Sequence, residues 1–136
     1  MDERGKIDVA ERALAAWNRG DLDRVIAKAS EDLEWDLTRS DIPGESHVHR
    51  GPKAYLRFAR RWREALGPTQ VELEEAKELP DGRLFALIKQ SGTGARSGAE
   101  VDLHYVQIYT FVSDEIARVE VFTDQRKGRA AAGLEP

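Results

Sequence analysis

The chain has 136 residues, no cysteine and a formal net charge of -4 at pH 7. This length fits a single domain, 1–136, because two domains would each be too small to bury an adequate core. The acidic balance argues against a nucleic-acid-binding protein, and the lack of cysteine excludes disulfides, thiolate metal sites and a cysteine nucleophile. No apolar run approaches the roughly 18 residues of a membrane helix. The charged start shows no signal peptide, so we expect a cytoplasmic protein that uses neither membrane nor nucleic acid.

The N-terminal part of the chain predicts two helices. Apolar residues recur near helical spacing over 7–17, and Gly20 is suited to end that helix. Asp21 is suited to cap a second, shorter helix, whose apolar positions run over 22–29.

A strand and a third helix follow. Residues 33–37 alternate apolar and acidic side chains, which is the period of a strand with one buried face. A loop with proline and glycine comes next, and a short strand is expected at 47–49. Pro52 favours the first turn of a helix. The apolar stripe of that helix extends towards Gly67, where we expect the helix to end.

The second half of the chain predicts four strands in meander order and a final helix. The strands are expected at 71–79, 84–91, 101–112 and 116–123. The helix is expected at 125–132, with Asp124 as its cap. A hairpin tip is expected between the second and third of these strands, at Gly92, Gly94 and Gly98. Helices that precede a run of antiparallel strands indicate an α+β fold.

The longest predicted strand is apolar on both faces. Tyr105 and Tyr109 lie on one face, and Val106 and Ile108 on the other. A sheet with one solvated face alternates more cleanly, so the helices should cover one face and another element the second. A homodimer through the outer sheet face is the prediction, and a C-terminal segment that folds back over the sheet is the alternative.

Several short motifs occur in the order and spacing of one known family. They are AWNRGDLD at 16–23, DLEWD at 32–36, HRG at 49–51, YTF at 109–111 and VEVFTD at 119–124. Together they resemble the SnoaL-like, polyketide-cyclase-type domains of the nuclear transport factor two-like superfamily, over nearly the whole chain. The resemblance implies a cone-shaped α+β barrel, in which three N-terminal helices pack on a curved, mostly antiparallel sheet. It also implies a pocket at the mouth of the cone and frequent dimerisation.

The resemblance does not imply one chemistry, because this superfamily holds steroid isomerases, epoxide hydrolases, polyketide cyclases, dehydratases and non-catalytic binders. Matched without gaps, the carboxylate base of the steroid isomerases falls on Leu37, their tyrosine on Ala13 and their oxyanion aspartate on Gln107. The acid of the cyclases and epoxide hydrolases falls on Val121. The usual acids are therefore missing, unless a one-residue slip, which the strand alternation disfavours, turns Asp36 into the pocket.

Polar and aromatic side chains remain to form a pocket. Gln107 should point inward beside Tyr109, where its amide can bind a ligand carbonyl or hydroxyl, or be satisfied by tyrosine hydroxyls or backbone. Aromatic side chains that should converge on the cone can wall an apolar ligand. These are Trp35, Trp62, Tyr105 and Tyr55.

The histidines are candidates for acid–base chemistry. His49 lies at the expected pocket rim, so it is the candidate general base, with Gln107 and Tyr109 as hydrogen-bond donors. A rim histidine satisfied by solvent is the alternative. His47 and His49 alternate on one face and could bind a metal, but no acidic residue is evidently placed as a third ligand. His104 should lie on the outer face, so no metal and no cofactor are predicted.

These residues lead to three expectations of function. The chain binds a small hydrophobic molecule in an apolar pocket, as a cofactor-free isomerase, cyclase or hydrolase acting at a carbonyl or epoxide. The alternative is a non-catalytic ligand-binding or accessory protein, which the missing acids at Leu37 and Val121 favour. A third class is a subunit whose apolar outer sheet face docks a different protein.

Overall fold

The computed structural model describes residues 1–93, 98 and 100–134, and it has the predicted α+β architecture. The helices are α1 (Glu3–Arg19), α2 (Leu22–Val25), α3 (Pro52–Leu66) and α4 (Gln125–Ala131). The strands are β1 (Ala29–Asp36), β2 (Val48–Arg50), β3 (Thr69–Glu78), β4 (Leu84–Thr93), β5 (Glu100–Val112) and β6 (Glu115–Phe122). Of the glycines expected at the β4–β5 hairpin tip, Gly94 lies outside the described residues.

Gly20 and Asp124 act at helix ends as the sequence indicates, whereas the Asp21 side chain makes no capping hydrogen bond to α2. Asp2 caps α1 by accepting a hydrogen bond from the Gly5 amide, and Gly20 ends it with a left-handed φ of 77°. Asp124 caps α4 through the amides of Arg126 and Lys127. The second helix is shorter than expected, because Ala29 begins β1 instead of extending the helix.

The six strands form one sheet in the order β2-β1-β6-β5-β4-β3. β1 runs parallel to β6, while the other strand pairs are antiparallel. Helix α3 packs on β1 and β2 at one edge of the sheet, and α1 packs on β3 at the other edge. The two long helices therefore leave a hollow over the middle strands, which positions the site described below.

The other face of the sheet has its own core beneath α4. Its buried members are Leu79, Phe85, Val106, Ile108, Phe122 and Ala132. Gly128 lets α4 approach closely, because a Cβ at this position would lie 2.6 Å from the Cβ of Val106. Val106 and Ile108 of β5 are thus covered on the side of the C-terminal helix, as in the alternative to a dimer, whereas Val112 of the same strand is exposed. Among the described residues, no helix is long and apolar enough to span a membrane.

Candidate functional site

A cavity of about 300 Å³ fills the hollow between the helices and the sheet. Its walls are mainly apolar and aromatic, and it includes most of the residues predicted to line a pocket. Those are Trp35, Tyr55, Trp62, Tyr105, Gln107 and Tyr109. The exposed loop residues Asp41 and Pro43 also belong to the lining, so the cavity reaches the surface beside the β1–β2 loop.

Gln107 gives the cavity wall a polar group at its centre. The residue is 7% exposed, and its Oε1 accepts a hydrogen bond of 2.5 Å from the Tyr109 hydroxyl. This bond orients the amide, because a tyrosine hydroxyl that donates must face the carbonyl oxygen. Within the described part of the chain, Nε2 of Gln107 makes no hydrogen bond. The amide N–H groups are therefore available to a ligand.

A second glutamine, Gln90, lies on the neighbouring strand β4 and was not predicted as a site residue. Gln90 is fully buried; its Oε1 accepts from the Tyr105 hydroxyl at 3.0 Å and from Trp62 Nε1 at 3.4 Å. Its Nε2 donates to Thr69 Oγ1 at 3.0 Å. The carbonyl oxygen of this glutamine holds two lining aromatics in place. A polar residue at an inward position of an apolar strand was the signal that could have found it.

The indole nitrogens of the lining residues Trp17 and Trp35 are buried without a hydrogen-bond partner among the described residues. Tyr55 also lines the cavity, and its hydroxyl makes no hydrogen bond among those residues. Its ring packs against Trp35 at a centroid distance of 4.3 Å. Burial raises the pKa of Tyr55, and the neighbouring Tyr105 and Tyr109 raise it further. Burial raises the pKa values of Tyr105 and Tyr109 as well. All three phenols are therefore protonated at neutral pH, and Tyr55 can donate to a ligand.

The positions that carry acids in related enzymes do face the cavity, but they are apolar. Leu37 and Val121 both belong to the lining. Asp36 points to the opposite face of β1, where its carboxylate binds Arg118 at 2.5 Å and accepts from Thr38 at 2.6 Å. Burial alone would raise the pKa of Asp36, but the bonds from Thr38 and Arg118 outweigh it and lower the pKa. The inner wall thus has no carboxylate at these positions, and Asp36 does not line the cavity.

His49 is not among the residues that line the cavity, so the structure does not place it at the pocket rim. It is 6% exposed, and its ring contacts the lining residue Phe58 from behind at a centroid distance of 5.3 Å. Burial lowers the pKa of His49, and His47 beside it lowers the pKa further. The reason for the difference is that Phe58 of α3 fills the space between this imidazole and the cavity.

Glu45 lies beside His47 and His49, although the sequence did not indicate an acidic residue there. The ligand atoms of Glu45, His47 and His49 all lie within 4.8 Å of one another. The third histidine, His104, lies with Glu74 at 2.8 Å and Asp102 at 3.2 Å, and it also belongs to the cavity lining. Glu45 belongs to an irregular loop, where no periodic signal indicates the direction of a side chain.

A carboxylate at the cavity mouth was missed as well. Asp41 lines the cavity from the β1–β2 loop, and its Oδ2 accepts a hydrogen bond of 3.2 Å from Thr123 Oγ1. The Asp41 amide donates to the same hydroxyl at 3.1 Å, so Thr123 fixes the loop against the end of β6. This is the carboxylate that the described residues present to the cavity.

Two sequence comparisons bear on the family. A family model for the SnoaL-like domain matches residues 10–119, which include most of the cavity lining. No curated protein matches the chain significantly.

Solved structures with the same fold cover nearly all of the chain. An NTF2-like protein of unknown function from Burkholderia pseudomallei is 18% identical, with a TM-score of 0.77 over 97% of this chain and 98% of that one. A protein classed as a SnoaL-like polyketide cyclase, from Jannaschia sp. CCS1, is 17% identical, with a TM-score of 0.74 over 98% and 95%. SalBIII, an epoxide hydrolase/cyclase-like enzyme of pyran ring formation in salinomycin, is 18% identical, with a TM-score of 0.72 over 89% and 92%.

Proposed function

Because this chain belongs to the SnoaL-like domain family, we propose that it binds a small, largely apolar molecule that carries a carbonyl or hydroxyl oxygen. The observation that carries the proposal is the free amide nitrogen of Gln107 in a cavity with apolar walls. An unpaired donor facing an apolar space is unfavourable until an acceptor reaches it. A ligand oxygen would supply that acceptor.

The form of the cavity supports the same class of ligand. Its volume of about 300 Å³ is at the lower end of small-molecule sites, which are typically lined by apolar and aromatic side chains with few polar groups. Trp35 and Trp62 offer flat apolar surface, while Tyr55 offers a second donor. A ring system with one or two oxygens matches this arrangement.

The binding proposal is tested with a matched pair of probes, 1,4-naphthoquinone and naphthalene, by isothermal titration calorimetry. We expect the quinone to bind more tightly, because only it offers acceptors to Gln107 and Tyr55. Native mass spectrometry of the purified protein, followed by denaturation, would identify any co-purifying compound. The proposal is wrong if neither probe binds and no compound co-purifies.

A filled cavity provides the control. Ala13 lines the cavity from α1, whereas Ala15 of the same helix is exposed. Ala13→Phe should abolish probe binding, and Ala15→Phe should leave it unchanged. Equal binding by both variants would mean that the probes sit elsewhere on the protein.

Catalysis is the second candidate function, and Asp41 is the observation that favours it. A carboxylate at the mouth, with the donors Gln107 and Tyr55 in the wall, can move a proton while an oxygen of the substrate is held. This would support cofactor-free isomerase, cyclase or hydrolase chemistry at a carbonyl or epoxide. In that case Asp41→Asn should abolish turnover of a bound substrate and retain its binding. A compound that binds but is never converted would instead indicate a non-catalytic ligand-binding protein. The apolar residues Leu37 and Val121, at positions expected to carry acids, favour that alternative.

A further inference from the structure

We propose that Glu45, His47 and His49 form a binding site for one divalent transition metal ion of the Zn²⁺ class. The three residues lie where the β1–β2 loop joins β2, outside the cavity. Two imidazoles and one carboxylate are a ligand set that suits Zn²⁺, with a fourth position left for water. The inference is independent of the proposed ligand of the cavity.

The geometry is close to that of a tetrahedral site. Zn²⁺ bonds of about 2.0–2.1 Å to nitrogen and oxygen place neighbouring ligand atoms about 3.4 Å apart. His49 Nε2 and Glu45 Oε1 are 3.5 Å apart. The rings of His47 and His49 lie at a centroid distance of 4.1 Å. Since all three ligand atoms lie within 4.8 Å of one another, a small rotation of His47 is enough to close the site.

The second observation is the state of His49. Its side chain is 5% exposed, and Nε2 is buried without a hydrogen-bond partner in the described part of the chain. That nitrogen faces the Glu45 carboxylate at a distance too long for a good hydrogen bond and right for a shared cation. A buried, unpaired ring nitrogen is unfavourable in itself and is satisfied when it ligates a metal. His47 is exposed, so an ion can enter from solvent.

Arg61 competes for the same carboxylate. Its Nε and Nη2 donate to the two oxygens of Glu45 at 2.8 and 2.9 Å. The guanidinium is half-exposed, so this ion pair contributes little stability. Its positive charge nevertheless opposes a cation at Glu45. Removing that charge should therefore tighten metal binding, which is opposite to the effect of removing a ligand.

An ion at this site would fasten the loop to the sheet. Glu45 follows the cavity-lining residues 41–43 by a few positions, and His49 pairs with Trp35 of β1 in the sheet. Ligation by both would restrict the loop that carries Asp41. Such an ion would influence access to the cavity without touching its contents.

The test uses the full chain, stripped of metal with a chelator and titrated with Zn²⁺ against a chromophoric competitor. We expect one Zn²⁺ per chain. His47→Ala, at an exposed position, should weaken binding by more than about tenfold, since even outer-shell changes typically cost 10–100-fold in metal affinity. Glu45→Gln should weaken it similarly. Arg61→Gln should tighten it.

His104→Ala is the matched control, because it removes the remaining histidine of the chain and should leave Zn²⁺ affinity unchanged. Zn²⁺ should also raise the melting temperature of the wild type but not of His47→Ala, since an ion that binds only the folded state stabilises it. No Zn²⁺ binding to the wild type, or equal binding to the wild type and His47→Ala, would overturn the proposal. Full binding by Glu45→Gln would overturn the three-ligand site.

Discussion

At the scale of single residues, Gln107 shows how a scaffold without the usual acids can still recognise a polar group. The Tyr109 hydroxyl occupies its carbonyl oxygen and leaves the amide nitrogen free. A neutral amide between two phenols does not titrate near pH 7, so recognition at this position does not depend on pH. The group is suited to hold an oxygen and unsuited to remove a proton.

We expect Gln107→Leu to reduce the affinity for 1,4-naphthoquinone by roughly threefold to tenfold, since a neutral hydrogen bond contributes about 0.5–1.5 kcal/mol. The affinity for naphthalene should stay the same or rise, because leucine adds apolar surface. Calorimetric titration of both probes against both proteins measures the difference. An equal loss for both probes would show that the variant damages the cavity and does not remove a specific bond.

Asp36 provides a prediction on pH. Its folded pKa is lowered below the ordinary value of 3.8 by Thr38 and Arg118, against the opposing effect of burial. A carboxylate with a lowered folded pKa contributes stability above its unfolded pKa and loses it as the pH falls through the folded pKa. Asp36→Asn should therefore reduce stability at pH 7 by about 1–3 kcal/mol and make the decline below about pH 4 shallower.

Urea denaturation between pH 7 and pH 3 measures this effect. Glu31→Gln is the control, because Glu31 is an exposed carboxylate on the same strand. If the free energy of unfolding of Asp36→Asn falls as steeply with decreasing pH as that of the wild type, the ion pair with Arg118 does not contribute to the loss of stability in acid.

The face of the sheet on which a strand residue lies was predictable from the sequence, whereas the positions of loop residues were not. Alternation places Gln107, Tyr109 and Trp35 inside and Asp36 outside, and the structure agrees. His49 obeys the same alternation, yet a helix residue that no strand pattern encodes separates it from the cavity. Asp41 comes from a segment without periodicity, so only the fold of the loop reveals it.

At the scale of elements, α4 decides what happens on the outer face of the sheet. Its packing depends on Gly128, because any Cβ there would meet the Val106 side chain at 2.6–2.8 Å. The strands β4 and β5 were predictable as apolar on both faces, but the identity of the covering element was not. A seven-residue helix carries too weak a pattern to indicate where it docks.

Gly128→Ala is expected to destabilise the protein, although alanine favours a helix by about 1 kcal/mol. Overpacking against a fully buried strand residue typically costs about 1–3 kcal/mol, which outweighs that gain. The midpoint of urea unfolding should fall. In the double variant with Val106→Gly the glycine substitution should cost less, because all three Val106 side-chain atoms that the new Cβ would meet are then absent. An unchanged midpoint in Gly128→Ala would show that α4 does not pack closely in solution.

At the scale of the whole molecule, the sheet separates two different environments. Its inner face borders the cavity, while the outer face carries an apolar core beneath α4. Beside α4, the outer face of β1, β2 and β6 carries a charged network. Its members are Glu34, Asp36, Arg50, Arg118 and Glu120. A homodimer through the outer sheet face stays a prediction, but two of the residues that motivated it, Val106 and Ile108, are buried within the chain.

Deleting α4 tests whether this helix is needed to cover the apolar outer face of the sheet. A chain ending at Thr123 exposes Phe85, Val106 and Ile108, which are fully buried in the intact protein. We expect the truncated chain to associate or aggregate, because an exposed contiguous apolar patch is a site of association. Light scattering after size-exclusion chromatography would give the masses of both proteins. A truncated chain with the same mass and solubility as the intact one would show that α4 does not protect this face.

The two-sided sheet has a consequence for how such a protein can change. Its two largest fully buried side chains, Phe85 and Phe122, lie in the outer core, on the side of the sheet away from the cavity. Much of the tight packing is therefore remote from the cavity wall. Substitutions in the cavity wall can alter what is recognised while the outer core keeps the sheet intact. A scaffold with this division is well suited to acquire new ligands by mutation, and to be redesigned for chosen ones.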